Sequence, residues 1–394
     1  QDGGYILAGD NGSDFWVKKV ADDGVRTIWE KTFSGSGKDY CTGIAETSDN
    51  GFILAGTSNT SSGGVYQYMD FWAIKIDENG TQIWEKTYGG TSNDTCNGVI
   101  NAPNDGFLLF GSSESGNNGG KTSFNKGYSD YWIVRIDENG TQIWDKSFGG
   151  NDYDFAYSAS STSDGGFAIA GWYHANVANG DISEAPRHDA NASFKMPDAW
   201  VVKVDENGTK VWDKRFGGDR FDSAHSITST LDGGFIIAAQ SDSNMSGDKS
   251  EARISSYGKD YWVLKIDENG SKIWDKTLGG STGDNRVSKI ISLADGGSLS
   301  IGSTTSDATG SISQDSLGNW DYWIVKLDEN GTKVWDKRYG GIYSERKTTG
   351  ALKTNGGFWL TGVSNSPAGA DKTEPNIPYE DSYWVLEIGA DGNK

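Results

Sequence analysis

No stretch of this 394-residue chain approaches 18 consecutive apolar residues, so it encodes no membrane-spanning helix. It also lacks any basic cluster. Acidic side chains outnumber basic ones 55 to 35, and the formal charge of −20 repels DNA and RNA phosphates, which argues against a nucleic-acid partner. Six prolines are too few for a collagen-like or proline-rich extended chain. Two cysteines cannot staple a disulfide scaffold. Three histidines, with no elbow-type serine motif beside them, leave a Ser-His-Asp triad unassignable. No leader pattern opens the chain, but a mature secreted chain reads the same way, so that absence selects no compartment.

What the chain has in abundance is glycine (55 residues), tryptophan (16) and one phrase. "DYWVLKIDENGSKIWDKTLGG" starts at Asp260, with near-copies at Asp14, Asp70, Asp130, Asp198 and Asp321, and "SYWVLEIGADGNK" starts at Ser382. Aligned on these copies, four segments recur. The first, "DGGFILAG"-like, opens at or near Asp2, Asp49, Asn104, Asp164, Asp232, Asp295 and Asn355, at spacings of 47 to 68 residues. The second is the "DYWVVKID" run and the third the "KIWDKTFGG" run. The fourth is looser, as in "DSAHSITST" from Asp222. All are short, rich in β-branched and aromatic residues, and bounded by Gly, Asn and Asp, which is the pattern of strands. "DENG" supplies the Asn-Gly of a hairpin turn with a bulge.

The unit therefore predicts a four-stranded antiparallel meander. The first strand, as in Phe52 to Gly56, is apolar on both faces, so both faces of its sheet need cover. Sheets stacked face to face around an axis supply it, and that is a β-propeller. Ala and Gly at the end of the first strand suit a crowded axis, while Trp72 and Trp84, Trp132 and Trp144, and Trp200 and Trp212 fill the wider space between sheets. A solenoid would repeat at roughly 20 to 30 residues and matches less well.

The expected fold is all-β, one propeller over residues 1–394, with blades near 1–48, 49–103, 104–163, 164–231, 232–294, 295–354 and 355–394. First and second strands occur seven times, third and fourth strands six times. Seven blades are thus expected, the last with only two strands, around Phe358 and Trp384; six blades are the alternative. An upstream segment or a partner chain would complete the seventh. Cys41 and Cys96 occupy equivalent places, "KDYC" and "NDTC", where later copies have Ala156 and Ala224. A small buried side chain suffices there, so two free buried thiols are expected.

The phrase "DGGFILAG…DYWIVKIDENGTKIWDKTFGG" resembles the secreted propeller repeats of surface proteins in Bacteroidota and some archaea. It is also similar in layout to the kelch repeat, with its glycine-rich innermost first strand and a Trp on the third. The resemblance covers nearly the whole chain. It implies an extracellular or cell-surface propeller, and it carries over no catalytic residue and no ligand.

Strand alternation sorts the turns by face. The "DENG" and "DGG" turns share one face and scarcely vary. The first-to-second and third-to-fourth loops share the other, and the former range from four residues (Asp10 to Ser13) to twenty-six (Trp172 to Pro197). Long loops on a rigid scaffold are where binding residues concentrate. The candidate ligand-binding residues are Tyr66, Tyr68, Phe124, Tyr128, Trp172, Tyr173, His174, His188, Phe194 and Trp320, with Tyr257 and Met196 nearby, because rings stack on a sugar or peptide while polar groups orient it. Their competing reading is that each pins its own loop. Arg220, Arg286 and Arg346, in the last three third-to-fourth turns, suggest an anionic group on the ligand.

Two acidic series recur on that face: Asp39, Asp94, Asp154, Asp222, Asp284 and Glu345, and Asp14, Asp70, Asp130, Asp198, Asp260 and Asp321. They would suit a calcium rim, but strict recurrence favours caps on turn amides, so no cofactor is assigned. A glycoside hydrolase would need two carboxylates about 5 to 9 Å apart. Asp189 and Glu184 are available, yet nothing singles them out, and the sequence favours binding or scaffolding over catalysis. Three functions stand: recognition of a glycan or protein, a structural subunit of a surface assembly, and a propeller hydrolase.

Overall fold

The computed structural model describes residues 4–22, 24, 26–35, 37–60, 68–103, 105–174, 178–185, 187, 196–354, 356–374 and 381–394. Every regular element among them is a β-strand. The strands form seven antiparallel sheets. The first holds β1 (Tyr5–Asp10), β2 (Phe15–Val20) and β3 (Thr27–Phe33). The second holds β4 (Asp39–Glu46), β5 (Phe52–Thr60), β6 (Tyr68–Ile76) and β7 (Gln82–Tyr88), and the third β8 (Asp94–Asn101), β9 (Phe107–Ser113), β10 (Asp130–Ile136) and β11 (Gln142–Phe148). The fourth is β12 (Asp154–Ser161), β13 (Phe167–Tyr173), β14 (Asp198–Val204) and β15 (Lys210–Phe216), and the fifth β16 (Asp222–Ser229), β17 (Phe235–Ser241), β18 (Asp260–Ile266) and β19 (Lys272–Leu278). The sixth is β20 (Asn285–Ser292), β21 (Ser298–Thr304), β22 (Asp321–Leu327) and β23 (Lys333–Tyr339), and the last β24 (Glu345–Leu352), β25 (Phe358–Ser364) and β26 (Ser382–Ile388). This is a seven-bladed β-propeller, which disposes of the six-bladed alternative.

The sheets are phased one strand earlier than the repeated phrase. The loose fourth segment pairs with the glycine-rich strand that follows it, as in Asp39↔Ser58 to Glu46↔Phe52. A tight turn closes that hairpin, with Thr47 N donating to Gly51 O at 2.9 Å and Asn50 N to Thr47 O at 3.1 Å. From the second sheet on, the glycine-rich strand is therefore interior to its sheet, unlike the innermost edge position that the kelch-like layout implies. The last blade has three strands, not two, because Glu345–Leu352 joins it; the first also has three.

The chain divides into two compact units, residues 1–185 with 202–213, and residues 186–201 with 214–394. Within each, the same few contacts hold neighbouring sheets. In "DYW" the two rings point to opposite faces because side chains alternate along a strand. In the first unit Phe15 packs on Trp72 (centroids 4.6 Å apart) and Phe71 on Trp132 (4.5 Å). In the second, Tyr261 packs on Trp323 (4.7 Å) and Tyr322 on Trp384 (5.4 Å). The glycine of "LAG" makes room for the same ring: a Cβ on Gly302 would lie 2.5 Å from the Tyr261 hydroxyl. Where Ala199 replaces the ring, the next sheet carries Ala239 instead of glycine.

The third-strand Trp clasps the turn of the next sheet. Trp84 Nε1 donates to Glu138 O (3.0 Å), and Trp274 Nε1 to Glu329 O (3.1 Å). In the turn itself Asp77 Oδ1 accepts from the amides of Asn79 (2.9 Å) and Thr81 (2.7 Å), and Gly80 sits at φ 78°, where a side chain would be strained. The register shifts between Lys75 and Ile76 form the expected bulge. "DENG" and its Trp are thus one device. Cys41 and Cys96 are free and buried, as expected.

Candidate ligand-binding surfaces

The recurring acids belong to the scaffold. Asp94, Asp154 and Asp222 are fully buried, and each accepts the second "GG" amide four residues back, at 2.7 to 2.8 Å. Asp130 accepts from Lys126 N (2.7 Å) and Asp321 from Leu317 N (2.9 Å). The first glycine lies between the two series: a Cβ on Gly149 would be 2.5 Å from Asp130 Oδ1 and 2.6 Å from Asp154 Oδ2. Burial pushes Asp154 up to about 8, and the neighbouring Asp130 adds to it. In the sixth sheet the amide-capping place is taken by buried Asn285, not by Asp284. Among the described residues no three His, Cys, Asp or Glu side chains converge as a metal cage would need.

The long loops are partly scaffold too. Each carries a short turn that docks on the "GG": Gly120, Asp181, Asp248 and Ser311 amides donate to Gly89, Gly149, Gly217 and Gly279 carbonyls, at 2.8 to 2.9 Å. The residue after it enters the sheet. It is buried Lys121 or Lys249 in the third and fifth sheets, and buried Ile182 or Ile312 in the fourth and sixth. Where it is isoleucine, the outer strand supplies the cation instead, as Arg215 and Arg338. Arg215 Nη1 lies 3.7 Å from Asp198 and Arg338 Nε 3.4 Å from Asp321. This recurring turn was legible as "[N/S/T]-G-x-[K/I]-[S/T]" and escaped the sequence reading.

Of the candidate residues, Tyr66, His188 and Phe194 lie outside the described residues, as does Asp189. Tyr173 is fully buried, and its hydroxyl donates to Glu184 O (3.1 Å), so it pins its own loop. Tyr68 and Phe124 are exposed. Tyr128 and Trp172 are brought together, through rings the sequence reading missed. Tyr128 stacks on Tyr153 (5.2 Å, 23°), Tyr153 runs parallel to Phe155 (6.3 Å, 7°), and Phe155 leans on Trp172 (4.9 Å, 35°). Trp172 Nε1 then donates to the Tyr157 hydroxyl (3.0 Å). His174 flanks the ladder, with Nδ1 3.4 Å from Asp152 Oδ2. Tyr157 is the unpaired residue of the β12 bulge between Ala156 and Ser158, and its hydroxyl meets the Trp172 indole from there. The signal was there in "YDFAY", where the inner strand before it reads "DTCN".

In the second unit the three arginines separate. Arg286 and Arg346 hold equivalent register places on β20 and β24, opposite Ser303 and Val363. Arg220 sits in the turn before β16, its amide on Ser243 Oγ. Arg286 lies over the Trp320 ring (5.0 Å) and pairs with Asp284 (2.6 Å), and Arg346 pairs with Asp381 (3.3 Å). Lys259, absent from the expected set, holds Nζ 3.5 Å over the Phe221 ring. Burial, then Lys259 and Arg286, push His225 down to about 4.

No family model matches the chain. Over 308 residues it is 24% identical to the regulatory protein FlaEY of Caulobacter vibrioides, an alignment covering 77% of this chain and 29% of that protein. The chain thus spans under a third of the length of this curated relative. Among solved structures, a puromycin hydrolase mutant superposes with a TM-score of 0.52 at 12% identity, covering 98% of this chain and 52% of that one. The Dos1 propeller gives 0.46 at 9%, covering 91% and 74%. Such identities speak for fold alone. The class is the β-propeller.

Proposed function

We propose that this protein is a recognition propeller, working outside the cell or on its surface, that holds a protein or glycan chain against the aromatic ladder of its first unit. The ladder carries this reading. Scaffold features recur sheet after sheet, whereas the Phe155/Trp172 pair is replaced by Tyr40/Thr57, Thr95/Ser112 and Ser223/Gln240 at the matching register places. Tyr128 and Tyr153 leave 66% and 42% of their surface exposed, although burying rings is what a fold needs of them. A stepped row of rings presents flat apolar faces to sugar rings or to apolar and cationic peptide side chains. Propellers commonly serve as interaction scaffolds, and the likeness to part of a regulatory protein agrees with partner binding.

A glycan array and a pull-down, each run with wild type and with Tyr128→Ala/Tyr153→Ala, test the proposal. A ligand held by the wild type and weakened about tenfold in the variant is expected, since each stacked ring contributes about 0.5 to 1.5 kcal/mol. Equal binding by both would remove the ladder from the account. A second reading, a subunit of a larger assembly, rests on β26: it is the edge strand of a three-stranded sheet, where a partner strand could add. A monomer at every concentration in native mass spectrometry would count against it.

A further inference from the structure

Basic residues are distributed unevenly over the inner strands. β4, β8 and β12 contain no Lys, Arg or His, while β16, β20 and β24 contain His225, Arg286, Lys289, Arg346 and Lys347. In a chain of net charge −20 this concentration runs against the overall balance.

The fold satisfies enclosed ammonium groups such as Lys121 and Lys372. Buried Lys121 donates to Ser115 O, Ser123 O and Asn125 Oδ1 at 2.9 to 3.0 Å, and buried Lys372 to Ser364 Oγ and Ser366 O. Lys289 on β20, which burial alone affects, departs from this, and so does Lys259. Lys259 is half-buried over the Phe221 ring, and among the described residues its Nζ makes no hydrogen bond or ion pair. Burial lowers its affinity for the proton, and Asp284 opposes that effect. Arg286, close enough to influence both Lys259 and His225, is held in place rather than neutralised on all sides. Asp284 takes Nε (2.7 Å) and Nη2 (2.6 Å), Trp320 backs the guanidinium plane, and Nη1 is bonded to no described residue. A partly desolvated amine beside a fixed guanidinium edge, walled by two aromatic rings, has the donor set for a planar or tetrahedral oxyanion.

We propose that Lys259 and Arg286, with His225 beside them, form an oxyanion-binding site between Phe221 and Trp320 that takes the carboxylate or phosphate group of a ligand. This goes beyond the recognition reading, because the site belongs to the second unit and the ladder to the first. It can be tested apart from that reading, because the site needs no aromatic ladder.

The test is calorimetric titration of the whole protein with inorganic phosphate and, separately, with glutarate, against a sodium chloride control of matched ionic strength. The proteins compared are the wild type, Lys259→Gln, Arg286→Gln, Lys259→Arg and the ladder variant Tyr128→Ala/Tyr153→Ala. Saturable binding of one anion is expected, at least fivefold weaker in either Gln variant, largely retained in Lys259→Arg, and unchanged in the ladder variant. A response to phosphate alone assigns a phosphate group, and a response to glutarate alone a carboxylate. No saturable binding of either anion, or equal binding by the wild type and both Gln variants, would overturn the proposal. Loss of ligand by the ladder variant with the anion response intact separates the two sites.

Discussion

Asp154 shows how closely single residues are constrained here. It is fully buried, it caps the Gly150 amide, and it stands across one glycine from Asp130. Burial first, and Asp130 second, push its carboxyl up to about 8, so the folded protein holds it protonated where the unfolded chain would ionise it. The sixth sheet avoids that cost with Asn285, which keeps the acceptor and donates Nδ2 to Asp260 (3.2 Å). Asp154→Asn is therefore expected to raise the melting temperature at pH 8 and to change it little near pH 4; thermal scans at both pH values check this. A fall at pH 8 would mean that the carboxylate itself is needed.

At the scale of elements, each of the third to sixth sheets brings a cation to its buried acids, from either a loop or the outer strand. The loop brings Lys121 or Lys249, with Ser147 or Thr277 on the outer strand, or the outer strand brings Arg215 or Arg338, with isoleucine in the loop. Lys249→Ile should cost about 3 kcal/mol, because Asp260 would lose its cation in a buried place. Adding Thr277→Arg should recover more than half. Urea unfolding of the two single variants and the double variant measures the coupling, and additive losses would contradict the exchange. Strands, turns, blade number and the structural role of the acids were all legible in sequence, because each rests on local spacing that recurs. Sheet phase was not, since a short strand such as Asp39–Glu46 has apolar partners on both sides in sequence and only the tight turn after Thr47 decides between them. Nor were Tyr153, Phe155 and Tyr157, whose meaning depends on Tyr128 and Trp172 arriving from other segments.

For the whole molecule, the buried acids set the pH response. Burial raises Asp130, Asp222 and Asp321 to about 6 and Asp154 and Asp198 to about 8. Each raised carboxyl binds its proton more tightly folded than unfolded, so stability falls as pH rises from the unfolded value near 4 through 6 to 8. Asp232 acts oppositely: the hydrogen bond from Lys265, then that from Thr230, holds it at about 2, and its contribution is lost as pH falls from about 4 to 2. The melting temperature should therefore peak near pH 4 to 5 and decline toward pH 8; a curve rising across that interval would refute the assignment. The central claim is that one face of one unit does the recognising. Hydrogen exchange of the whole protein with and without its captured ligand tests this most directly. The account predicts added protection over residues 114–129 and 153–157, with the "DENG" turns unchanged. Protection confined to the "DENG" turns, with residues 114–129 and 153–157 unaffected, would contradict it.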